Sequence, residues 1–302
     1  MKMSIEELPN AIWKLVEKNS VTKVHSRFKF KCANFKVSGF LPYFNHCGKY
    51  YTLYSKDFNL SRNYAILMTP GGFLLNHNLA LITAFVEKKP FKPVFPSVNG
   101  VISDELELFM KIGPNFAKKM HEFSINNYEK YGLKNEFIVS GPFGPGLQIN
   151  ANQKGTIVGV TCGTGVALFV DFVAYILRMN IYRAGTLEGK EYKLFADEKF
   201  DRLIDPSFKL MLFSSFKTED IAIGKAIFDF LHKLSQDYKF NNFVYYLRVS
   251  SSGEPHWNAN FFQSHIDLNA SKVIAYGPLG VEKELVKELK LAGIKDSQFH
   301  RI

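Results

Sequence analysis

The stretch from Gly155 to Leu177 constrains the fold of this chain more than any other. It opens with an apolar, β-branched run at 156–160, passes through a turn of small residues at 161–165, and continues as an apolar segment at helical spacing. This order predicts a buried strand, a glycine turn and a helix. Because such a turn presents free backbone N–H groups at a helix N-terminus, it favours a phosphate or another anion.

Two other interpretations of the same stretch need to be weighed. An ordinary tight turn between a buried strand and a helix would have the same pattern, and the residues alone leave that alternative open. A membrane-spanning helix would have a similar length. However, Asp171 interrupts the apolar face, and the turn containing Gly163 and Gly165 would break such a helix near its middle. We therefore predict no transmembrane segment.

Composition places the chain among globular proteins. It has 302 residues, of which 46% are hydrophobic and 22% charged, a length that suits two domains. The 38 basic and 28 acidic residues give a net charge of +10, but acidic residues are interleaved with the lysines, as in 281–290. This pattern indicates a solvated surface that steers anions, and it disfavours a nucleic-acid partner.

The cysteines indicate the compartment. Cys32, Cys47 and Cys162 are an odd number without a Cys-x-x-Cys pair, so neither a disulfide framework nor a metal or iron-sulfur site is predicted. We expect a reducing compartment, cytoplasmic or mitochondrial, and peripheral membrane association is compatible with this composition. The N-terminus lacks the long apolar core of a secretory signal.

The first half of the chain has the sequence pattern of short strands. Residues 1–20 are predicted as an N-terminal helix or linker, with the helix starting near Ser4 and ending near Asn19. From 21 onward polar and apolar residues alternate, and strands are predicted near 24–32, 49–54, 63–69 and 79–86. Several short strands at this spacing predict an antiparallel β-barrel or sandwich in residues 21–150.

The end of this predicted barrel domain contains other elements. Residues 103–111 are predicted as a helix, because Ser103 would cap it and Leu106, Phe109 and Met110 would form one apolar face. Residues 114–134 are polar, with helical character at 116–123, and are interpreted as an insertion. A strand at 136–139 leads into a cluster of glycine and proline that predicts the domain boundary.

The second half, 151–302, alternates strands and helices. After the opening stretch, strands are predicted at 209–214, 243–249 and 273–276, and helices at 220–236 and 282–292. Alternating strands and helices predict an α/β domain with a doubly wound parallel sheet. Ligands of such domains bind at the carboxyl ends of the strands.

Several motifs, taken in order, resemble those of one family. Arg62-Asn63-Tyr64-Ala65 is similar to an Arg-x-Tyr-Ser/Thr motif, Gly141-Pro142-Phe143-Gly144 to Gly-Pro-x-Gly, and Cys162-Gly163-Thr164-Gly165-Val166 to Gly-Gly-Thr-Gly-Ile. These are motifs of the ferredoxin-NADP reductase superfamily, in its cytochrome b5 reductase branch. The resemblance extends over nearly the whole chain after Val21. It implies an FAD-binding β-barrel followed by an NAD(P)-binding α/β domain, with NADH favoured over NADPH.

The resemblance implies an FAD site in the first half. In the family the arginine of the first motif pairs with the FAD pyrophosphate and the tyrosine packs on the isoalloxazine ring. Residues 82–85 resemble a flavin-contacting strand, and 100–103 resemble a Gly-x-x-Ser sequence that opens a helix against the pyrophosphate. The FAD-binding residues implied in this way are Arg62, Asn63, Tyr64, Ala65, Thr83, Phe85, Gly100, Val101, Ile102, Ser103 and Thr164.

A nicotinamide nucleotide site is implied in the second half. Residues 213–221 resemble the segment that contacts the adenosine ribose, where Asp220 would repel a 2′-phosphate, although Lys217 lies nearby. Gly277-Pro278 resembles part of a Cys-Gly-Pro-Pro motif. The NAD-binding residues implied are Gly163, Thr164, Gly165, Ser214, Asp220, Tyr276, Gly277 and Pro278.

Three departures from the family pattern leave two functions open. Ala65 replaces a hydroxyl residue near the flavin, Tyr276 replaces a cysteine near the nicotinamide, and the 114–134 segment has no counterpart in a compact reductase. The first function is an FAD-dependent NAD(P)H oxidoreductase that passes single electrons to a separate acceptor, such as a haem protein. The alternative is a weakened or inactive structural subunit of a larger assembly. No catalytic residue is certain, and Thr164 and Tyr276 are expected near the nicotinamide.

Overall fold

The computed structural model describes residues 11–32, 47–65, 75–89, 105–149, 152–188 and 205–302. The chain divides into two compact units. The first comprises Met1–Gly72 and Pro96–Gln148, and the second comprises Phe73–Phe95 and Ile149–Ile302.

The first unit is built on an antiparallel sheet, as the alternating sequence predicts. Its strands are β1 (Trp13–Thr22), β2 (His25–Cys32), β3 (Tyr50–Ser55), β4 (Leu60–Ala65), β5 (Glu105–Lys111) and β6 (Phe137–Phe143). They are ordered β4-β3-β6-β1-β2-β5. The side chains that alternate inward form one core, which contains Phe28, Phe30, Leu53 and Phe137.

Strand β1 corrects the prediction of an N-terminal helix over its residues. Trp13 and Leu15 are each 1% exposed, whereas Lys14 and Val16 between and after them are exposed. This alternation matches the period of a strand. Trp13 pairs with Cys32 of β2, and the ladder continues to Thr22 opposite His25. The helical prediction failed because it relied on early acidic residues and ignored this alternation.

Strand β5 corrects a second prediction, the helix at 103–111. Leu106, Leu108 and Met110 are all buried, a period of two that a helix could not place on one face. The strand pairs with β2 from His25 opposite Lys111 to Lys31 opposite Glu105. The apparent capping pattern was therefore misleading.

The segment predicted as a polar insertion contributes to the core of the first unit. It contains helix α2 (Phe116–Glu122), which lies within the region of predicted helical character. Phe116, Met120 and Phe123 are at most 3% exposed and join the same cluster as Phe137. The segment is therefore packed into the barrel and is not an appended excursion.

The second unit contains the parallel sheet that the alternating pattern predicts. Its strands are β7 (Thr156–Cys162), β8 (Lys209–Phe216), β9 (Phe243–Val249) and β10 (Lys272–Tyr276). Its helices are α1 (Leu75–Val86), α3 (Ala167–Leu187), α4 (Lys225–Asp237), α5 (Ala259–His265) and α6 (Leu279–Leu291). The sheet order is β10-β7-β8-β9, and all three pairings are parallel.

Helix α1 corrects the strand predicted at 79–86. Asn78, Leu81 and Ala84 are buried at a spacing of three residues, as one face of a helix requires. The Phe85 ring lies 6.2 Å from the ring of Phe230 in α4 and 6.5 Å from that of Tyr238. A short apolar run without flanking signals does not distinguish a buried strand from a buried helix.

Helix α3 and the turn before it form the apolar segment with which the sequence analysis began. Gly163–Leu187 is long and apolar enough to cross a bilayer, but 89% of its most apolar window is buried within the structure. Its contacts include α4 and the sheet residues that flank it. This burial is that of the core helix of an α/β unit, in agreement with the predicted strand, turn and helix.

Candidate functional site

The second unit has one place where its strand order reverses. The chain passes from β7 to β8 and β9 through neighbouring positions, and then crosses back to place β10 on the other side of β7. Thr161 lies opposite Tyr276 at the carboxyl ends of β7 and β10. In open α/β sheets ligands bind outside the strands at such a switch point.

Gly163 and the start of α3 form the polar part of this switch point. Gly163 has a φ of 57°, and a Cβ added there would meet no atom of the described residues within 4 Å, its chain neighbours apart. A 3₁₀ turn, Gly163–Val166, leads directly into α3, and neither element has a side-chain cap or an acidic residue in its first turn. These N–H groups and the helix dipole are therefore suited to an anionic group.

Gly165 has a different role from Gly163. A Cβ at Gly165 would lie 2.6 Å from the carbonyl oxygen of Tyr276 and 3.1 Å from its ring atom Cδ1. A Cβ at Gly277 would lie 3.0 Å from the Cβ of Cys162. The second glycine of the turn is therefore required by the packing of β10, and the half-buried Tyr276 lies directly against the turn.

The segment after β8 is rich in charge. Thr218 donates a hydrogen bond of 2.6 Å to the exposed Asp220. The ammonium of Lys225 lies 3.3 Å from Oε1 of Glu219 and also pairs with Asp229. The hydrogen bond with Asp229 is the main cause that raises the pKa of Lys225; partial burial opposes it, and the charge of Asp229 and the hydrogen bond and charge of Glu219 add smaller increases. Glu219 and Asp229 thus hold Lys225, and Asp220 presents its carboxylate to solvent.

Ser214 is the predicted NAD residue that lies deepest in the sheet. It is fully buried, and its hydroxyl lies 3.0 Å from that of Thr161 on β7. The pair joins two strands inside the sheet. Its position therefore gives Ser214 a structural contact with β7, whereas Thr164 and Pro278 are exposed at the carboxyl edge.

Arg248 was not singled out from the sequence. It lies one residue before the end of β9, is 6% exposed, and donates hydrogen bonds to Ser215, Glu254 and Pro255. The only available signal was a cation at the carboxyl end of a predicted strand. That signal is weak, because a strand-end arginine is usually solvated.

The Arg62 to Ala65 motif lies on β4 in the first unit. Arg62 is exposed, and its Nη1 would lie 4.0 Å from a Cβ added at Gly113. Asn63 accepts a 2.8 Å hydrogen bond from the hydroxyl of Thr52. Tyr64 is 8% exposed, and its ring lies 6.1 Å from that of Phe116. Burial is the main cause that raises the pKa of Tyr64, opposed by the charge of Arg62.

The positions of Arg62 and Tyr64 limit the flavin contacts that the resemblance implies. The Tyr64 ring is enclosed in the core, and stacking on a flavin would require one of its faces to be uncovered. Its buried hydroxyl has no hydrogen-bond partner in the part of the chain that the structure describes. The exposed guanidinium of Arg62 is the group of this motif that suits a phosphate-bearing ligand.

The remaining predicted FAD residues lie apart from this strand or outside the described residues. Thr83 and Phe85 are on α1 of the second unit, and the Thr83 hydroxyl donates to the Leu79 carbonyl at 3.0 Å. Their placement on a flavin-contacting strand was wrong. The stretch 100–103 lies outside the described residues, so its part in an FAD site stays a prediction.

Across 11–32, 47–65, 75–89, 105–149, 152–188 and 205–302, no group of three or more His, Cys, Asp or Glu side chains could hold a metal ion.

Comparisons with known proteins identify the fold. No family model matches the chain, and no curated protein matches its sequence. Among solved structures, the cytochrome b5 reductase domain of Ulva prolifera nitrate reductase is 12% identical with a TM-score of 0.60, and the match covers 99% of both chains. The fold is that of the FAD- and NAD-binding reductase domains. The two-domain fold predicted from the resemblance is confirmed.

Two further structures agree with this identification. The CS-b5R domains of human Ncb5or, in the NAD⁺ form, are 16% identical with a TM-score of 0.57, over 96% of this chain and 68% of that one. Flavohemoglobin from Malassezia yamatoensis, with bound FAD and haem, is 14% identical with a TM-score of 0.55. The match covers 96% of this chain but 58% of the flavohemoglobin chain. Identities this low establish the reductase fold and not the reaction.

Proposed function

We propose that this protein is an FAD-dependent NAD(P)H oxidoreductase that passes electrons to a separate acceptor. The observation that carries this proposal is the turn at Gly163, which has open space and uncapped N–H groups at the switch point of a reductase fold. A dinucleotide diphosphate matches the charge that this turn favours. The NAD⁺ form of the similar Ncb5or domains supports the assignment.

The residues of the first unit would hold FAD by its phosphates. The exposed guanidinium of Arg62 can pair with the pyrophosphate. When bound, FAD supplies a group that accepts hydride from a nicotinamide and releases electrons singly. The protein orients the two cofactors and excludes water.

The acceptor is proposed from charge and from the similar proteins. A net charge of +10 favours an acidic partner, and flavohemoglobin combines the same fold with haem. We propose a haem protein that binds in trans, in a reducing cytoplasmic or mitochondrial compartment. Association with a larger assembly is compatible with the same surface.

A paired glycine substitution tests the nucleotide site. Gly163→Val places a branched side chain in the open space of the turn at a φ of 57°. We expect at least a tenfold loss of NAD⁺ affinity by calorimetry, with the FAD content of the purified protein unchanged. The matched control is Gly132→Val, because Gly132 has a φ of 69° and is also without atoms within 4 Å of a Cβ.

Both variants carry a similar backbone cost, on the order of 1 kcal/mol, so the comparison isolates the site. The proposal is contradicted if Gly163→Val binds NAD⁺ as tightly as Gly132→Val.

The alternative is a structural subunit that keeps the fold without turnover. Tyr276 favours this alternative, because its carbonyl and ring pack against Gly165 where a nicotinamide would be expected. Ala65, which lacks the hydroxyl of the resembling motif, points the same way. In Tyr276→Ser the ring is removed. If the ring blocks the nicotinamide, NADH should reduce the flavin bound to this variant faster than the flavin bound to the wild type. An unchanged rate of flavin reduction argues against blocking.

A further inference from the structure

Arg248 joins the loop after β9 to strand β8 at the carboxyl edge of the second unit. Its Nε donates to the carbonyl of Pro255 at 2.7 Å and its Nη2 to the carbonyl of Glu254 at 3.2 Å. Its Nη1 donates to the hydroxyl of Ser215 at 3.0 Å. Ser215 lies opposite Arg248 in the β8 and β9 ladder, so one side chain ties the loop after β9 to the end of β8.

A second set of hydrogen bonds keeps the loop after β9 folded. The amide of Ser251 donates to the carbonyl of Lys217 at 2.9 Å. The Glu254 carboxylate accepts from the amide of Val249 at 3.1 Å and from the hydroxyl of Ser252 at 3.1 Å. The loop at 249–255 therefore lies beside the segment that carries Lys217 and Asp220.

Within the described residues the guanidinium of Arg248 makes no ion pair, and the carboxylate on its own loop, that of Glu254, accepts from Val249 and Ser252. The three partners of Arg248 are neutral oxygens, and within the described part of the chain no carboxylate lies within 4.0 Å of it. Three of its five N–H groups are used. An arginine that is 94% buried without a counter-ion is costly, since burial of a charge is normally offset by pairing. The three hydrogen bonds that it makes to Ser215, Glu254 and Pro255 offset part of this cost.

We propose that Arg248 is the positioning residue for the adenosine half of the dinucleotide. It fixes the loop 249–255 against Ser215 and so shapes the edge beside residues 217–220. This inference rests on the proposed function, since it assigns the ligand of that site. It differs from the ribose contact expected of Asp220 because Arg248 acts through the loop that it holds.

The test measures binding of ADP, the adenosine half alone, to the purified full chain by calorimetry. Arg248→Gln is expected to weaken ADP binding at least tenfold. Arg248→Lys is expected to weaken it by a similar factor, because an ammonium keeps the charge but cannot make three bonds in the fork geometry of a guanidinium. Ser215→Ala removes one acceptor and leaves the charge, and is expected to weaken binding about threefold. Arg301→Gln, which removes an exposed charge, is the matched control and leaves ADP binding unchanged.

Steady-state kinetics with NADH separate a positioning role of Arg248 from a general loss of stability. In flavin-loaded Ser215→Ala and Arg248→Lys, the KM for NADH should rise while kcat stays within twofold of the wild type. Reduced nicotinamide mononucleotide, which lacks the adenosine half, should be used equally by all variants. The inference is overturned if the wild type binds ADP and Arg248→Gln binds it equally well, or if Arg248→Lys restores full affinity. Failure of the wild type itself to bind ADP would instead refute the proposed function.

Discussion

At the scale of single residues, the two glycines of the turn after β7 have separate physical causes. Gly163 combines a left-handed backbone with empty surroundings, which suits a ligand, whereas Gly165 makes room for the carbonyl of Tyr276. The motif resemblance placed both in one site. The contact between Gly165 and Tyr276 joins residues 111 positions apart, so no local pattern could have predicted it.

Asp220 is the residue on which cofactor choice is predicted to depend. Its exposed carboxylate, held by Thr218, would repel the 2′-phosphate of NADPH. We expect Asp220→Thr to raise the ratio of kcat/KM for NADPH over that for NADH about fivefold, as an interaction of about 1 kcal/mol in water implies. Asp237→Asn removes an exposed carboxylate at the end of α4 and is the control. An unchanged ratio in Asp220→Thr would show that Asp220 does not determine the choice between NADH and NADPH.

His25 makes the stability of the first unit sensitive to acid. It is 1% exposed, its Nδ1 lies 2.8 Å from the hydroxyl of Thr22, and its Nε2 has no hydrogen-bond partner within the described residues. Burial, together with the charges of Lys111 and His121, lowers the pKa of His25 from 6.5 to about 4. Between these pH values the unfolded chain binds a proton that the folded chain does not.

The free energy of unfolding should therefore be highest above pH 6.5 and fall as the pH drops toward 4, by about 2 kcal/mol from this group. Urea unfolding at a series of pH values measures this loss. His25→Gln should flatten the decline, and His256→Gln, which changes an exposed histidine, should not. Equal acid dependence in wild type and His25→Gln would contradict the assignment.

At the scale of elements, the packing of α2 carries a stability prediction. Met120 is fully buried in the core of the first unit, and Lys118 on the same helix is exposed. Met120→Ala should lower the free energy of unfolding by about 2–5 kcal/mol. Lys118→Ala should change it by less than about 0.5 kcal/mol, since its ion pair with Glu122 is exposed. Denaturant unfolding measures the change in the free energy of unfolding for both variants. Equal changes would mean that α2 does not contribute to the core of the first unit.

The elements also show how far sequence reasoning reaches. Strands β7 to β10 and helices α3, α4 and α6 were predicted well, because these strands are apolar runs and α4 has a strong amphipathic face, whereas helix α5 was not predicted. The failures were β1, β5 and α1. In β1 and β5, acidic residues at a possible helix start outweighed an alternation that marks strands, and in α1 a short apolar run had no distinguishing period. The hydrogen bonds of Arg248 depend on a loop conformation that sequence does not encode locally.

At the scale of the whole molecule, the two units carry complementary features of one proposed reaction. The first offers the exposed guanidinium of Arg62 to a phosphate-bearing ligand, and the second offers the Gly163 turn and the edge shaped by Arg248. The reductase fold, the order of the motifs and the net positive charge agree with an electron-transfer protein. Tyr276 is the residue that most directly opposes turnover.

Anaerobic titration of the FAD-reconstituted protein with NADH tests this account most directly. The account predicts that FAD binds and gives the visible absorbance of an oxidised flavin, and that one equivalent of NADH bleaches it. A protein that binds no FAD, or that holds FAD which stays oxidised in excess NADH, would contradict the account and favour a structural subunit.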